Sequence, residues 1–310
     1  MGRGRGAILT AMAATDLHPE LRQVAKLLPR RLISPRRVPL MQKANVLANL
    51  RTPKDVQVEE LPSGAQLRVF EPAQGGSGGA LLWIHGGGYV VGCAAQDDPL
   101  CRRFARALGI TVASVDYRLA PQHPYPAALE DCHDGLVRLA DRPEVNADRI
   151  AIGGASAGGG LAAALAFLAR DRGEVDVALQ LLSYPMLDDR TVERDGMDHP
   201  EHRLWDQKSN RYGWESYLGS ADRSIAVPAR RTDLEGLAPA WIGVGTLDLF
   251  HDEDLAYAER LRAAEVPVEV EVVRGAFHAF DGVAAKTSVA RRFYDSQCAA
   301  LRGALAAPAR

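Results

Sequence analysis

From Ala80 onward the chain alternates two hydrophobic patterns, and this alternation limits the fold more than any other feature. Ala80–Ile84 is a continuous apolar run, the pattern of a buried strand, and Thr111–Val115, Arg149–Ile152, Ala178–Leu182, Ala240–Val244 and Val268–Val273 also read as strands. Between them lie stretches with helical spacing: Asp98–Leu108, Ala127–Ala140, Ala157–Arg170, Asp252–Ala264 and a closing Ser288–Leu305. Strands that recur with a helix between them run parallel, and the helices then cover both faces of the sheet. The expected class is therefore α/β, with a mostly parallel central sheet flanked by helices.

Two regions stand outside this rhythm. Residues 16–50 place Leu17, Leu21, Val24, Leu27 and Leu28, then Leu40, Met41, Ala44 and Leu47, at helical spacing, which predicts two helices broken near Pro35. Residues 187–237 are polar yet hold Trp205, Tyr212, Trp214 and Tyr217, and a connection this long usually covers something. Between these regions Gln66–Phe70 reads as a strand and Gly75–Gly79 as a hairpin or loop. The expected division is cap helices in 1–55, a first part of the core in 56–186, a cap insert in 187–237 and a second part of the core in 238–310.

Composition narrows the function classes. A chain of 310 residues with 47% hydrophobic and 25% charged residues is ordinary for a globular protein, and its formal net charge of -2 suggests neither nucleic acid nor an anionic membrane as partner. Cys93, Cys101, Cys132 and Cys298 show neither metal-ligand spacing nor a secreted disulfide framework, so reduced thiols are expected. No metal or cofactor is expected. No apolar run approaches the length that spans a bilayer, and a cytoplasmic protein without stable membrane association is expected. Arg3, Arg5 and the stretch Ala7–Ala14 imitate a signal peptide but lack a leucine-dense centre. Met12 offers an alternative start, which would make the first eleven residues an extension.

The chemistry is concentrated in a few short segments. Gly154-Ala155-Ser156-Ala157-Gly158 lies between a predicted strand and a predicted helix, the setting of a nucleophile elbow, where a sharp turn lifts a serine hydroxyl toward a helix N-terminus. His85-Gly86-Gly87-Gly88 follows the strand Ala80–Ile84, and consecutive glycines there can turn N–H groups toward a developing oxyanion. A serine hydroxyl needs a base, and the base needs an acid to hold its tautomer, in the chain order serine, acid, histidine. His278 follows the last predicted strand and is the candidate base. His199 and His202 fall in the polar insert, where solvation is expected, and His251 reads as a helix-start or surface residue. Asp248 follows the strand Ala240–Val244 and is the candidate acid, with Asp252 as fallback. Asp252, Glu253 and Asp254 also suit the N-terminal end of a helix dipole.

These residues sit in longer segments that resemble the hormone-sensitive lipase family of bacterial esterases, of the α/β-hydrolase fold. The matching stretches are HGGGYVVG (85–92), DYRLAPQHPYPAALED (116–131), GASAGG (154–159), YPMLDD (184–189), GTLDLFHDED (245–254) and GAFHAFD (275–281). The resemblance implies a triad of Ser156, Asp248 and His278. It implies oxyanion donors at Gly87, Gly88 and Ala157, with Gly86 adjacent, and a helical cap formed by residues 16–50 and 187–237. Ala155 departs from the Asp or Thr usual before the nucleophile, and Ala279 from the Gly usual after the histidine. The activity expected is carboxylester hydrolysis on short- to medium-chain acyl esters, with Tyr89, Leu204, Trp205, Trp214 and Tyr217 as substrate-contacting residues. A small-molecule ester is the expected partner, and the family makes a homodimer a natural expectation. The same triad would serve an amidase, or a carbamate- or formamide-type hydrolase. A non-catalytic ligand-binding relative is the reading from another class, and such relatives lose a triad residue.

Overall fold

In the computed structural model the described residues are 17–49, 53–72, 75–197 and 199–306. Arg3, Arg5, Ala7–Ala14 and Met12, and with them the reading of the first eleven residues, lie outside that range. Strands β1 (Gln57–Glu60), β2 (Gln66–Phe70), β3 (Ala80–Ile84), β4 (Thr111–Asp116), β5 (Ile150–Ala155), β6 (Val177–Ser183), β7 (Ala240–Leu247) and β8 (Val268–Phe277) form one sheet in the order β1-β2-β4-β3-β5-β6-β7-β8. β1 pairs antiparallel with β2 and β2 antiparallel with β4, and every other neighbouring pair is parallel. This is the α/β-hydrolase fold. The short, exposed β1 has no apolar run to announce it, and the sequence reading missed it.

The central strands are buried at every position from Ala80 to Ile84 and from Ile150 to Gly154, as a sheet covered on both faces requires. Helices α3 (Asp98–Leu108) and α10 (Ser288–Ala306) pack on one face, where Trp83, Phe104, Trp241, Phe277 and Phe293 meet. Helices α4 (Ala127–Ala140) and α5 (Ala157–Arg172) cover the other. α5 is buried almost all round. Its interior Ala and Leu are strong helix formers, and Gly173 ends it in a left-handed cap at φ 66°. Arg68 on β2 forks onto Asp98 at 2.7 and 2.8 Å, a buried ion pair that ties the antiparallel edge to α3.

At the N-terminus, α1 (Arg22–Leu27) and α2 (Val38–Asn49) replace the two expected helices, but the break is longer than a kink at Pro35. Residues 28–37 are non-helical, because Pro29 and Pro35 exclude a continuous helix and Leu28 is extended. Leu27 and Leu40, which the spacing assigned to the apolar faces, are exposed; Leu21, Ala25 and Val38 form the inner faces. The segment 187–237 holds α6 (Gln207–Leu218) and the short α7 (Arg223–Ala226). It is joined to the N-terminal segment by Leu204 N–H to Pro29 O (2.8 Å), Leu32 N–H to Leu204 O (3.3 Å), Arg203 to Ala25 O (2.7 Å) and the Arg31–Asp206 ion pair (2.7 Å). α8 (His251–Ala263) and α9 (Phe280–Val283) follow the two strands that end the sheet.

Candidate active site

Four parallel strands deliver the candidate residues to one rim, where their C-terminal ends meet. β3 leads into His85-Gly86-Gly87-Gly88, β5 into Ser156, β7 into Asp248 and β8 into His278. This is the edge at which open α/β sheets bind ligands. β8 runs to Phe277, further than the predicted Val273, so His278 emerges from a fixed strand.

Ser156 sits between β5 and α5 at φ 58° and ψ −121°. A positive φ on a non-glycine residue costs about 1–3 kcal/mol and persists only where its surroundings enforce it. Here Ser156 N–H donates to Ser183 O (2.9 Å), and Ser156 O accepts from Met186 (2.9 Å) and Gly160 (3.0 Å). The turn is possible because α5 begins with glycines. A Cβ on Gly158 would collide with the carbonyl oxygens of Ile84 and His85, so only a glycine lets the helix start lie against the end of β3.

His278 Nε2 is 2.9 Å from Ser156 Oγ, and His278 Nδ1 is 2.8 Å from Asp248 Oδ2. The other Asp248 oxygen accepts the N–H of Phe250 at 3.0 Å. All three side chains are buried. With a proton on Nδ1 shared to the carboxylate, Nε2 is free to accept from the serine hydroxyl. The imidazole is walled by Tyr184 (5.0 Å, edge-on), Phe250 (5.3 Å, edge-on) and Trp205 (6.3 Å). The fallback acid does not reach it: Asp252 is exposed and pairs with His251 at 2.8 Å.

Gly87 and Gly88 have φ of 130° and 61°, and a Cβ on Gly88 would run into the Trp205 ring. Among the described residues the N–H groups of Gly87, Gly88 and Ala157 donate to no protein acceptor, which leaves them available to a ligand oxygen. Gly86 packs on the elbow, where a Cβ would come within 2.9 Å of Ala155 O. His85 is buried, stacked on Tyr117 at 4.2 Å, with Nδ1 2.8 Å from Gly86 O, and burial pushes its pKa down. It shapes the loop and is far from the role of base. The segment 116–131 braces this loop: Tyr117 O–H donates to His85 O (3.1 Å), Ala120 N–H to Tyr89 O (3.0 Å), and Arg118 forks onto Asp131.

The five residues expected to touch substrate separate into three sets. Trp205 stands over Gly88 and next to His278. Tyr89, Trp214 and Tyr217 are buried against one another, with Tyr89 stacked on Tyr217 at 4.0 Å and Trp214 5.4 Å from Tyr89. Leu204, at φ 67°, is held by its backbone to Pro29 and Leu32. His199 is exposed as expected, whereas His202 is buried, a correction to the reading that both are solvated. Its neighbour Arg203 folds back on the carbonyls of Ala25, Pro200 and His202, and this closes the loop around the ring.

Two further pairs of residues were missed. Tyr184 O–H donates to Asp281 at 2.7 Å while its ring buttresses His278; both lie in quoted segments, but without a role. Glu253 and Asp254 suit a helix dipole by position alone, and the structure buries both. Glu253 accepts from Leu187 (2.7 Å), Asp188 (3.0 Å) and the Thr191 hydroxyl, tying the start of segment 187–237 to the helix after Asp248. Burial pushes its pKa up to about 8. No periodicity marks such a residue. A groove of about 940 Å³ lined by Val177, Leu237, Pro239, Pro267 and Ala300 opens at the opposite, N-terminal ends of the strands and has no part in this chemistry.

Comparison with known proteins agrees with this fold. A family model described as alpha/beta hydrolase fold matches residues 81–282. Esterase LipI of Mycobacterium tuberculosis is 38% identical over 72% of this chain and 72% of its own length. An ethyl acetate hydrolase of Pseudomonas putida is 34% identical over 69% of this chain and 70% of its own. Among solved structures, a bacterial heroin esterase superposes with a TM-score of 0.83 at 33% identity, covering 94% of this chain and 98% of that one. The chain belongs to the hormone-sensitive lipase-like family of α/β-hydrolase-fold esterases.

Proposed function

We propose that the protein is a carboxylesterase acting on short- to medium-chain acyl esters through an acyl-enzyme on Ser156. The observation that carries the reading is the continuous chain Ser156 Oγ, His278, Asp248, at 2.9 and 2.8 Å, beside a glycine loop with unused N–H donors. Ser156 Oγ attacks the acyl carbon and its proton passes to His278 Nε2. The carbonyl oxygen takes the negative charge, and Gly87, Gly88 and Ala157 N–H groups stabilise it, each such donor contributing about 3 kcal/mol in related sites. The carbon–oxygen bond to the alcohol then breaks as His278 returns the proton to the leaving oxygen. Water repeats the sequence on the acyl-enzyme, with His278 as base, and the acid leaves Ser156 free.

Segments 17–49 and 187–237 act as the cap in this reading, with Trp205 pressing on the oxyanion loop. A small ester is the substrate, in line with relatives named for ethyl acetate and for heroin. Ser156→Ala is expected to remove turnover of a p-nitrophenyl ester by at least ~10⁴-fold with the melting temperature retained. Residual turnover above a few per cent in contaminant-free protein overturns the assignment.

A further inference from the structure

Helix α6 carries one residue that weakens it. Gly213 stands inside the helix, Gln207–Leu218, where glycine is less favourable than alanine. Its φ is not positive, so no left-handed turn calls for glycine there. The reason lies across the helix face. A Cβ at 213 would stand 2.9 Å from Gly88 O, 3.4 Å from Met186 Cε and 3.5 Å from the Trp205 ring. The first contact is with backbone, which cannot turn aside, so only glycine lets α6 lie this close to the oxyanion loop.

Neither partner has slack. The inward face of α6 is Asn210, Gly213, Trp214 and Tyr217, and Tyr217 stacks at 4.0 Å on Tyr89, the residue after Gly88. The start of α6 is pinned: Asp206 accepts the Ser209 N–H (2.8 Å) and pairs with Arg31 (2.7 Å), and Gln207 donates to Arg194 O (2.8 Å). Its end is pinned by Tyr125 N–H, which donates to Tyr217 O (2.7 Å). The loop is held in turn by Gln42, which donates to Val90 O (2.9 Å), and by Ala120 N–H, which donates to Tyr89 O (3.0 Å). The Trp205 ring lies against Gly88 itself.

We infer that Gly213 is a positioning residue for ester hydrolysis: by admitting α6 onto the Gly88 carbonyl, it fixes the Gly87 and Gly88 N–H groups where the oxyanion forms. This rests on the carboxylesterase reading of Ser156. It gives segment 187–237 a task beyond enclosing the substrate, because α6 then completes the oxyanion hole. Turnover depends on that contact even for the smallest ester, whose acyl group reaches no distant wall.

The test is Gly213→Ala, with p-nitrophenyl acetate and hexanoate as substrates and active sites counted with a fluorophosphonate. The added methyl forces the Gly88 peptide and α6 apart and moves the donors off their line. The kcat per active site should fall ~10- to 10²-fold, by the same factor on both esters, with KM little changed. The pH dependence of kcat/KM should keep its shape, because the contacts of His278 are untouched. Inhibition by a trifluoromethyl ketone, whose adduct on Ser156 bears the oxyanion, should weaken in parallel with kcat/KM. A glycine with a structural role alone would alter the melting temperature or the titratable fraction and leave these readouts in place. A kcat per active site equal to wild type overturns the inference, as does a loss that grows with acyl length or falls on KM alone. If Gly213→Ala does not fold, Tyr217→Leu carries the test: it removes the stack on Tyr89 without adding bulk and should lower kcat on both esters alike. Tyr217→Phe keeps the ring and should recover most of that loss, and an unchanged kcat in Tyr217→Leu overturns the inference. Ser156→Ala separates the two levels. Turnover that survives it refutes the underlying reading, whereas an inert Ser156→Ala beside a fully active Gly213→Ala refutes the role of Gly213 alone.

Discussion

Replacing Asp248 with Asn tests the geometry of the site most sharply, because the structure dictates which way the new amide turns. Asp248 uses one oxygen for His278 Nδ1 at 2.8 Å and the other for the Phe250 N–H at 3.0 Å. Asn has one acceptor and one donor end. The Phe250 N–H is a fixed donor, so the amide oxygen must face it, and the NH₂ group is turned toward His278. A donor facing Nδ1 holds that nitrogen deprotonated and moves the ring proton to Nε2, where it blocks acceptance of the Ser156 proton. The inverse amide orientation sets NH₂ against N–H in a buried site and costs the loss of a hydrogen bond as well. The expected fall in kcat is ~10⁴-fold, equivalent to about 5 kcal/mol of transition-state stabilisation. KM and melting temperature should change little, since shape is preserved. Initial rates on p-nitrophenyl butyrate give the answer. Asp252→Asn, which alters an exposed carboxylate paired with His251, should stay close to wild type. A loss under ten-fold for Asp248→Asn, or a larger loss for Asp252→Asn, refutes the reasoning.

The remaining predictions concern the walls of the site. Trp205→Ala removes the ring that stands over Gly88, and the preference should move toward longer acyl chains, by up to about four-fold in kcat/KM for each methylene newly buried. An unchanged chain-length profile on an ester series counts against Trp205 as the gauge. Glu253→Gln mimics the protonated acid, with an oxygen for Leu187 and Asp188 and an NH₂ for Thr191. Because the folded-state pKa of Glu253 is raised from 4.5 to about 8, the wild type loses stability as pH climbs through that window and keeps the loss above it. The melting temperature of the variant relative to wild type should therefore rise between pH 4.5 and pH 8 and level off beyond. A difference that is flat or falls across the window contradicts the assignment.

Much of this was legible in the sequence because it rests on local pattern. Apolar runs such as Ala80–Ile84 mark buried strands wherever a sheet is covered on both faces, and glycines at 154 and 158 mark a turn that no other residue can make. The candidate residues Ser156, Asp248 and His278 were picked out by chain order and by strand ends, and they lie together in the structure. What stayed hidden depends on tertiary contact. β1 is exposed and too short to carry a period. Glu253 and Asp254 look like ordinary first-turn carboxylates, and only the docking of segment 187–237 on α8 buries them. Leu27 and Leu40 fit a helical apolar pattern as well as their inward neighbours do, and the side they face is set by where α1 and α2 meet the core. The whole-chain charge of -2 likewise conceals a basic N-terminal segment, since the remainder is acidic.

The central claim is that Ser156 carries the acyl group between two half-reactions. Mass spectrometry of the intact protein, quenched during turnover of a slowly deacylating ester, tests it directly, followed by mapping of the modified peptide. The account predicts a mass increase equal to one acyl group on the peptide that holds Ser156, accumulating in a burst with release of the alcohol. It predicts no such adduct in Ser156→Ala. Steady turnover with no adduct under conditions where deacylation limits the rate, or an adduct on any other residue, would contradict it.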